Sequence, residues 1–228
     1  KFISAYYIFI NGILKKLAKE TISRPQDIDN QIYHIGESHC LTFANQRIDK
    51  HYIIKPLIIF GLKAWHIGQK KDNRFKSIFL NYLRNLPPKS SLFISIGEID
   101  CRLNEGIISA HQKTGKSIDI IIEQTVEGFY SFIENELSGT QIKRYYFSVP
   151  APMKTPIELT KDDFNQLRVK VVKKFNECLK NKVDKGLAKF VDTYSLTKNS
   201  KGQSNKKYML DAYHMDPKIL PLIKDQLI

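Results

Sequence analysis

The chain has 228 residues, 42% hydrophobic and 11% aromatic, enough apolar side chain for one sizeable core and too much for a disordered or low-complexity chain. Its formal net charge of +13 is spread along the sequence without a nucleic-acid-binding motif, so no nucleic-acid partner is expected, while an anionic glycan or membrane surface stays open. Cys40, Cys101 and Cys178 are odd in number and lack metal-type pair spacing, which argues against a disulfide framework or a zinc site and fits reduced, cytoplasmic thiols.

Residues 2–14 are apolar for about the length of a signal-peptide core, but Asn11 and Gly12 interrupt them and no small-residue cleavage site follows. The stretch is too short to span a bilayer and reads as a helix. With the connector at 24–30 (R-P-Q-D-I-D-N) it makes residues 1–30 an N-terminal helix and connector, and residues 31–228 the main domain. A start at Lys1 rather than Met fits a piece of a longer chain with an upstream domain.

Short buried strands are predicted at 31–36, 57–60, 91–96, 142–149 and 189–192. Between the second and third, Phe75, Ile78, Phe79, Tyr82 and Leu83 mark a helix that Pro87 and Pro88 stop, because proline has no N–H to give and clashes with the preceding turn. Ile118, Ile121, Ile122, Val126, Phe129 and Ile133 form the next apolar stripe. Thr160 with Asp163 gives a capping-box-like start to a third helix, with Phe164, Leu167, Val171, Phe175 and Cys178 on one face. Its dense lysines, from Lys170 to Lys189, read as a solvated helix face. This alternation predicts an α/β fold: a flavodoxin-like three-layer sandwich around a central, mostly parallel five-stranded sheet. Ligands in such sheets bind at the carboxyl ends of the strands, so the residues that follow each strand are where chemistry is expected.

Directly after the first strand stands Gly36-Glu37-Ser38-His39, a tight turn into a helix. Ser38 there reads either as a nucleophile with backbone N–H groups beside it or as a helix N-cap. Near the C-terminus, Asp211-Ala212-Tyr213-His214 puts a carboxylate three residues before an imidazole, a spacing at which the carboxylate can bond one ring nitrogen and leave the other for a serine proton. The third segment, Gly97-Glu98-Ile99-Asp100-Cys101-Arg102, concentrates charge at a strand end; an Asp100–Arg102 salt bridge would account for it as well as function would. Trp65 and His66 follow the second strand and read as pocket wall or core, and Pro150-Ala151-Pro152 reads as another wall.

Together these segments resemble the SGNH (GDSL-like) hydrolase superfamily, whose members carry Gly-Asp-Ser after the first strand, a Gly after the second, Gly-x-Asn-Asp after the third and Asp-x-x-His near the end. The matches are Gly36, Glu37 and Ser38, then Gly61, then Gly97 and Asp100, then Asp211 and His214, in order across about residues 31–217. The resemblance implies Ser38 as nucleophile, His214 as general base and then acid, Asp211 as the group that holds the imidazole, and the N–H groups of Ser38 and Gly61 as oxyanion donors. Glu37 stands where the family has Asp, which is expected to change only how the loop is braced. Ile99 stands where the family has its oxyanion-hole Asn and has no donor to offer, so Arg102, His39 or His66 is expected to supply one, or the site to be slow or specialised. The Gly-Glu-Ile-Asp-Cys-Arg string is similar to a variant subgroup linked to bacterial surface polysaccharides and glycosyltransferases.

The resemblance implies an acyl-ester hydrolase, most simply one that deacetylates an O-acetylated carbohydrate, with no metal or cofactor. A polysaccharide O-acetyltransferase with the same triad, drawing on an acyl donor such as acetyl-CoA, and a non-catalytic carbohydrate-binding module remain alternatives.

Overall fold

The structure, a computed structural model, describes residues 10–12, 14–15, 30–49, 51–153 and 162–227. Five strands, β1 (Asn30–Gly36), β2 (Tyr52–Ile58), β3 (Ser91–Ser95), β4 (Lys143–Phe147) and β5 (Lys189–Val191), form one all-parallel sheet in the order β2-β1-β3-β4-β5, which is the flavodoxin-like order. Crossovers carry α1 (Ala64–Gly68) and α2 (Arg74–Arg84) between β2 and β3, α3 (Gly106–Thr114) and α4 (Ile118–Glu136) between β3 and β4, and α5 (Asp162–Val183) between β4 and β5. Short α6 (Thr193–Thr197) and the terminal α7 (Leu220–Leu227) follow β5.

Side chains alternate across the sheet, and both faces are covered, which is why the central strands read as continuous apolar runs. On one face Ile35, Leu92, Ile94 and Tyr146 pack with Phe79 of α2, Ile122 and Phe129 of α4, and Val171 and Phe175 of α5. On the other, Ile32, Phe93, Tyr145 and Phe147 pack under Phe43, Met215 and the Leu220, Ile223 and Leu227 stripe of α7.

The second strand, expected at 57–60, runs from Tyr52 to Ile58 and shares residues 57–58 with that expectation. Lys55 and Pro56 break the apolar pattern there, but β2 is an edge strand, where a proline without an N–H and an exposed lysine are tolerated. The helix expected within residues 1–30 is described only at 10–12 and 14–15, which are helical, and the connector before Asn30 lies outside the described residues. Thr160 and the side chain of Asp163 also lie outside them, so the capping box does too, although a helix runs from Asp162. All three cysteines are free thiols. Among the described residues no helix is long and apolar enough to cross a membrane.

Candidate active site

The carboxyl ends of β1, β2 and β3 gather the segments that the sequence singles out. Gly36 closes β1 against β3 so tightly that a Cβ would fall on the Ser95 carbonyl oxygen, which fixes where the next residues emerge. Ser38 opens a 3-10 turn, Ser38–Leu41, whose N-cap is Glu37; the Glu37 carboxylate accepts the His39 N–H at 2.9 Å. Ser38 is therefore not the cap, and its hydroxyl meets His214 instead, with Oγ 2.9 Å from Nε2.

His214 sits on a loop that folds back on itself: Leu210 N–H donates to the His214 carbonyl, and Met209 bridges Met215 in antiparallel fashion. Asp211 Oδ1 accepts the backbone N–H groups of Tyr213 and His214, each at 2.8 Å, and Asp211 Oδ2 lies 2.8 Å from His214 Nδ1. Burial works to raise the Asp211 carboxyl, but the hydrogen bond and charge of His214 and the two N–H donors outweigh it and hold the group below the usual carboxylate range. Carboxylate, imidazole and hydroxyl thus form one hydrogen-bonded chain, an arrangement that can take a proton from the serine and stabilise the imidazolium that results.

Beside this chain lies a second buried network. His39 Nδ1 is 2.8 Å from Glu37 Oε2, and His39 Nε2 is 2.8 Å from the Tyr213 carbonyl oxygen. Both partners only accept, so both ring nitrogens must carry protons and the ring is an imidazolium. Burial alone would keep it neutral; the charge and hydrogen bond of Glu37, with help from Glu98 and the Tyr213 carbonyl, lift it to about 9. The charged ring ties the Ser38 turn to the residue just before His214.

Glu98 anchors the far side of the same network. Arg102 grips it through Nε at 2.9 Å and Nη2 at 2.6 Å, and Arg168 of α5 reaches it at 3.2 Å. Burial opposes the Glu98 charge, yet Arg102, His39 and Arg168 hold its carboxyl below the ordinary range. Both guanidiniums that hold Glu98 lie over the Tyr213 ring, Arg102 at 4.7 Å and Arg168 at 5.6 Å from its centroid.

The structure places the other expected residues differently from one another. Arg102 pairs with Glu98 and Glu105, not with Asp100; His39 is engaged at both nitrogens, so it has no donor to spare for the place of Ile99. Asp100 instead caps the N-terminus of α1, accepting from Ala64 N at 2.7 Å and Trp65 N at 3.1 Å; burial pushes its carboxyl up to about 7 against those two donors. Gly61 turns the chain after β2 at φ +71°. Gly97 adopts φ +133°, and a Cβ there would strike the Phe175 ring, so its place is set by packing against α5. His66 Nδ1 accepts the Lys63 N–H at 3.1 Å while its ring stacks on Phe75 at 4.0 Å. Pro150, Ala151 and Pro152 lie beside Tyr213, Ala212 and Arg168, around a crevice of only about 10 Å³ that Ser38 and His214 do not line.

Sequence reasoning missed Arg168 and the Tyr213 ring. Arg168 reads as one more cation on a basic helix face, and only its burial, with a side chain 5% exposed, separates it from its neighbours. A cleft of about 690 Å³ opens beyond Asp100, between α1, α3 and α4, with Trp65 on its rim at 51% exposure.

No family model matches the chain, and no curated protein does either. Solved structures share the fold along nearly its whole length. A GDSL-like lipase from Bacteroides thetaiotaomicron is 16% identical with a TM-score of 0.55, covering 95% of each chain. A protein assigned as an acylhydrolase from Bacteroides fragilis is 19% identical with a TM-score of 0.58, covering 93% of this chain and 90% of its own. A catalytic serine-to-alanine mutant of an acetylxylan esterase from Geobacillus stearothermophilus is 9% identical with a TM-score of 0.51, covering 89% and 94%. The fold is that of the SGNH and GDSL-like hydrolases.

Proposed function

We propose that this protein is a serine acyl-ester hydrolase of the SGNH type, acting on O-acetylated carbohydrate. The hydrogen-bonded chain from Asp211 through His214 to Ser38 carries this reading. Ser38 Oγ bonds to the acyl carbon while its proton passes to His214 Nε2, and Asp211 stays ionised beside the imidazolium. Collapse of the tetrahedral intermediate breaks the ester C–O bond, and His214 returns the proton to the departing sugar hydroxyl. Water then repeats the sequence on the acyl-enzyme and releases the carboxylic acid. An alcohol in place of that water would make the same site an O-acyltransferase, with acetyl-CoA as a candidate donor.

The N–H groups of Ser38 and Gly61 are the oxyanion donors in this reading, with Ile99 contributing none. Loss of one such donor slows acyl transfer by on the order of a hundred- to a thousandfold, so turnover is expected to be slow. The acetylxylan esterase among the fold neighbours supports an acetylated-sugar substrate. Ile99 also favours a second reading, a carbohydrate-binding module without turnover.

Release of acetate from an acetylated oligosaccharide and hydrolysis of p-nitrophenyl acetate, each for wild type and Ser38→Ala, test the proposal. Hydrolysis that the substitution abolishes supports it; binding of the sugar with no hydrolysis by either protein favours the module. Added sugar acceptor that diverts the acetyl group from water would mark a transferase.

A further inference from the structure

The cleft beyond Asp100 takes no part in the chemistry above, yet it opens where the turns after β2 and β3 meet, at the same end of the sheet as Ser38. Lys63, Lys70, Lys113 and Lys116 contribute to its lining. Two acids face them: Asp100, fully buried and spent on the N-terminus of α1, and Glu105, paired with Lys63 at 3.1 Å. The cleft is therefore net cationic. Burial, with the charges of Lys63 and of Arg74 outside the lining adding to it, holds His66 on the cleft wall near 4, a neutral ring whose Nδ1 already accepts a bond and whose proton consequently sits on Nε2.

Around the cations lie hydrogen-bonding side chains without charge, Asn104, Ser109 and Gln124, and the half-exposed indole of Trp65. A large apolar ring left in water beside polar groups gains from a flat, partly apolar ligand laid on its face, as a pyranose ring is. Charge, hydrogen-bonding capacity and an aromatic platform in one cleft of about 690 Å³ fit a few sugar units that carry acidic groups.

We infer that this cleft is the glycan-binding subsite and that it selects an anionic, carboxylate-bearing oligosaccharide, with Trp65 as stacking platform and Lys70, Lys113 and Lys116 as its charge readers. The inference rests on the carbohydrate reading of the site and names the class of glycan that site receives. Binding to this subsite does not require the serine chemistry to work.

Trp65 is the single tryptophan of the chain, so intrinsic fluorescence reports directly on the cleft. Fluorescence titration and calorimetry of Ser38→Ala with a tetragalacturonate, a neutral xylotetraose and coenzyme A separate the outcomes. The tetragalacturonate is expected to shift the indole emission, to bind more tightly than the neutral sugar, and to weaken with added salt. Lys113→Glu with Lys116→Glu, both exposed positions, is expected to weaken it by about tenfold or more while leaving the neutral sugar unchanged. Calorimetry on Trp65→Ala, with circular dichroism to show an intact fold, is expected to lose binding of both sugars. Equal binding of acidic and neutral sugars, binding of coenzyme A alone, or no binding by any of the three overturns the inference. Hydrolysis of p-nitrophenyl acetate by the wild type stands apart from all of these results: if it persists while the cleft binds nothing, the subsite fails and the serine-hydrolase reading survives.

Discussion

His39 should make the protein's stability depend on alkaline pH in a way that a single substitution removes. Its folded value is lifted from the ordinary 6.5 to about 9, so between these limits the folded chain holds a proton that the unfolded chain has given up. Stability from the imidazolium is then fully present below about 6.5 and is lost as pH rises through 9. At 1.36 kcal/mol per unit, the rise corresponds to about 3 kcal/mol. Urea unfolding of wild type and His39→Gln at intervals from pH 6 to 10 measures it. Groups common to both proteins cancel in the difference, which should be largest at pH 6 and shrink by about 3 kcal/mol by pH 10. Parallel profiles would refute the clamp between Glu37 and the Tyr213 carbonyl.

Other consequences follow from the same contacts. Glu98→Ala removes the carboxylate that Arg102 and Arg168 share, which should cost about 3–5 kcal/mol in urea unfolding, against less than 1 kcal/mol for an exposed pair such as Lys173–Glu177. Ile99→Asn places a donor where none stands now and should raise ester turnover by roughly a hundredfold, read with p-nitrophenyl acetate; an unchanged rate would mean that the oxyanion is already served. Asp211→Asn keeps an Oδ1 to accept the Tyr213 and His214 N–H groups but favours the wrong imidazole tautomer, so turnover should fall by about 10⁴ with little change in melting temperature.

The sheet was legible because its central strands are buried on both faces and announce themselves as apolar runs such as Leu92 to Ile96. Only the end of the edge strand was, since Lys55 and Pro56 are compatible with a strand only where one side of it is unpaired. Ser38, Asp211 and His214 stood out for a different reason: their segments resemble the SGNH motifs in order along the chain, and the structure joins the three side chains by hydrogen bonds. The bracing around them was hidden because it joins residues far apart in the chain. His39 meets the carbonyl of residue 213, and Glu98 meets Arg168, pairings that depend on which loops the sheet order brings side by side. The choice of Glu98 over Asp100 as the partner of Arg102 is of the same kind. Asp100 is taken by the N-terminus of α1, a contact that exists only once β2 and β3 flank β1.

The central claim, an activated Ser38, is tested most directly by intact-mass analysis after exposure to a serine-directed fluorophosphonate. One adduct per chain on the wild type, mapped to Ser38 and absent from a folded Ser38→Ala, is the predicted result. A wild type that stays unlabelled, or a Ser38→Ala that labels equally, would contradict it.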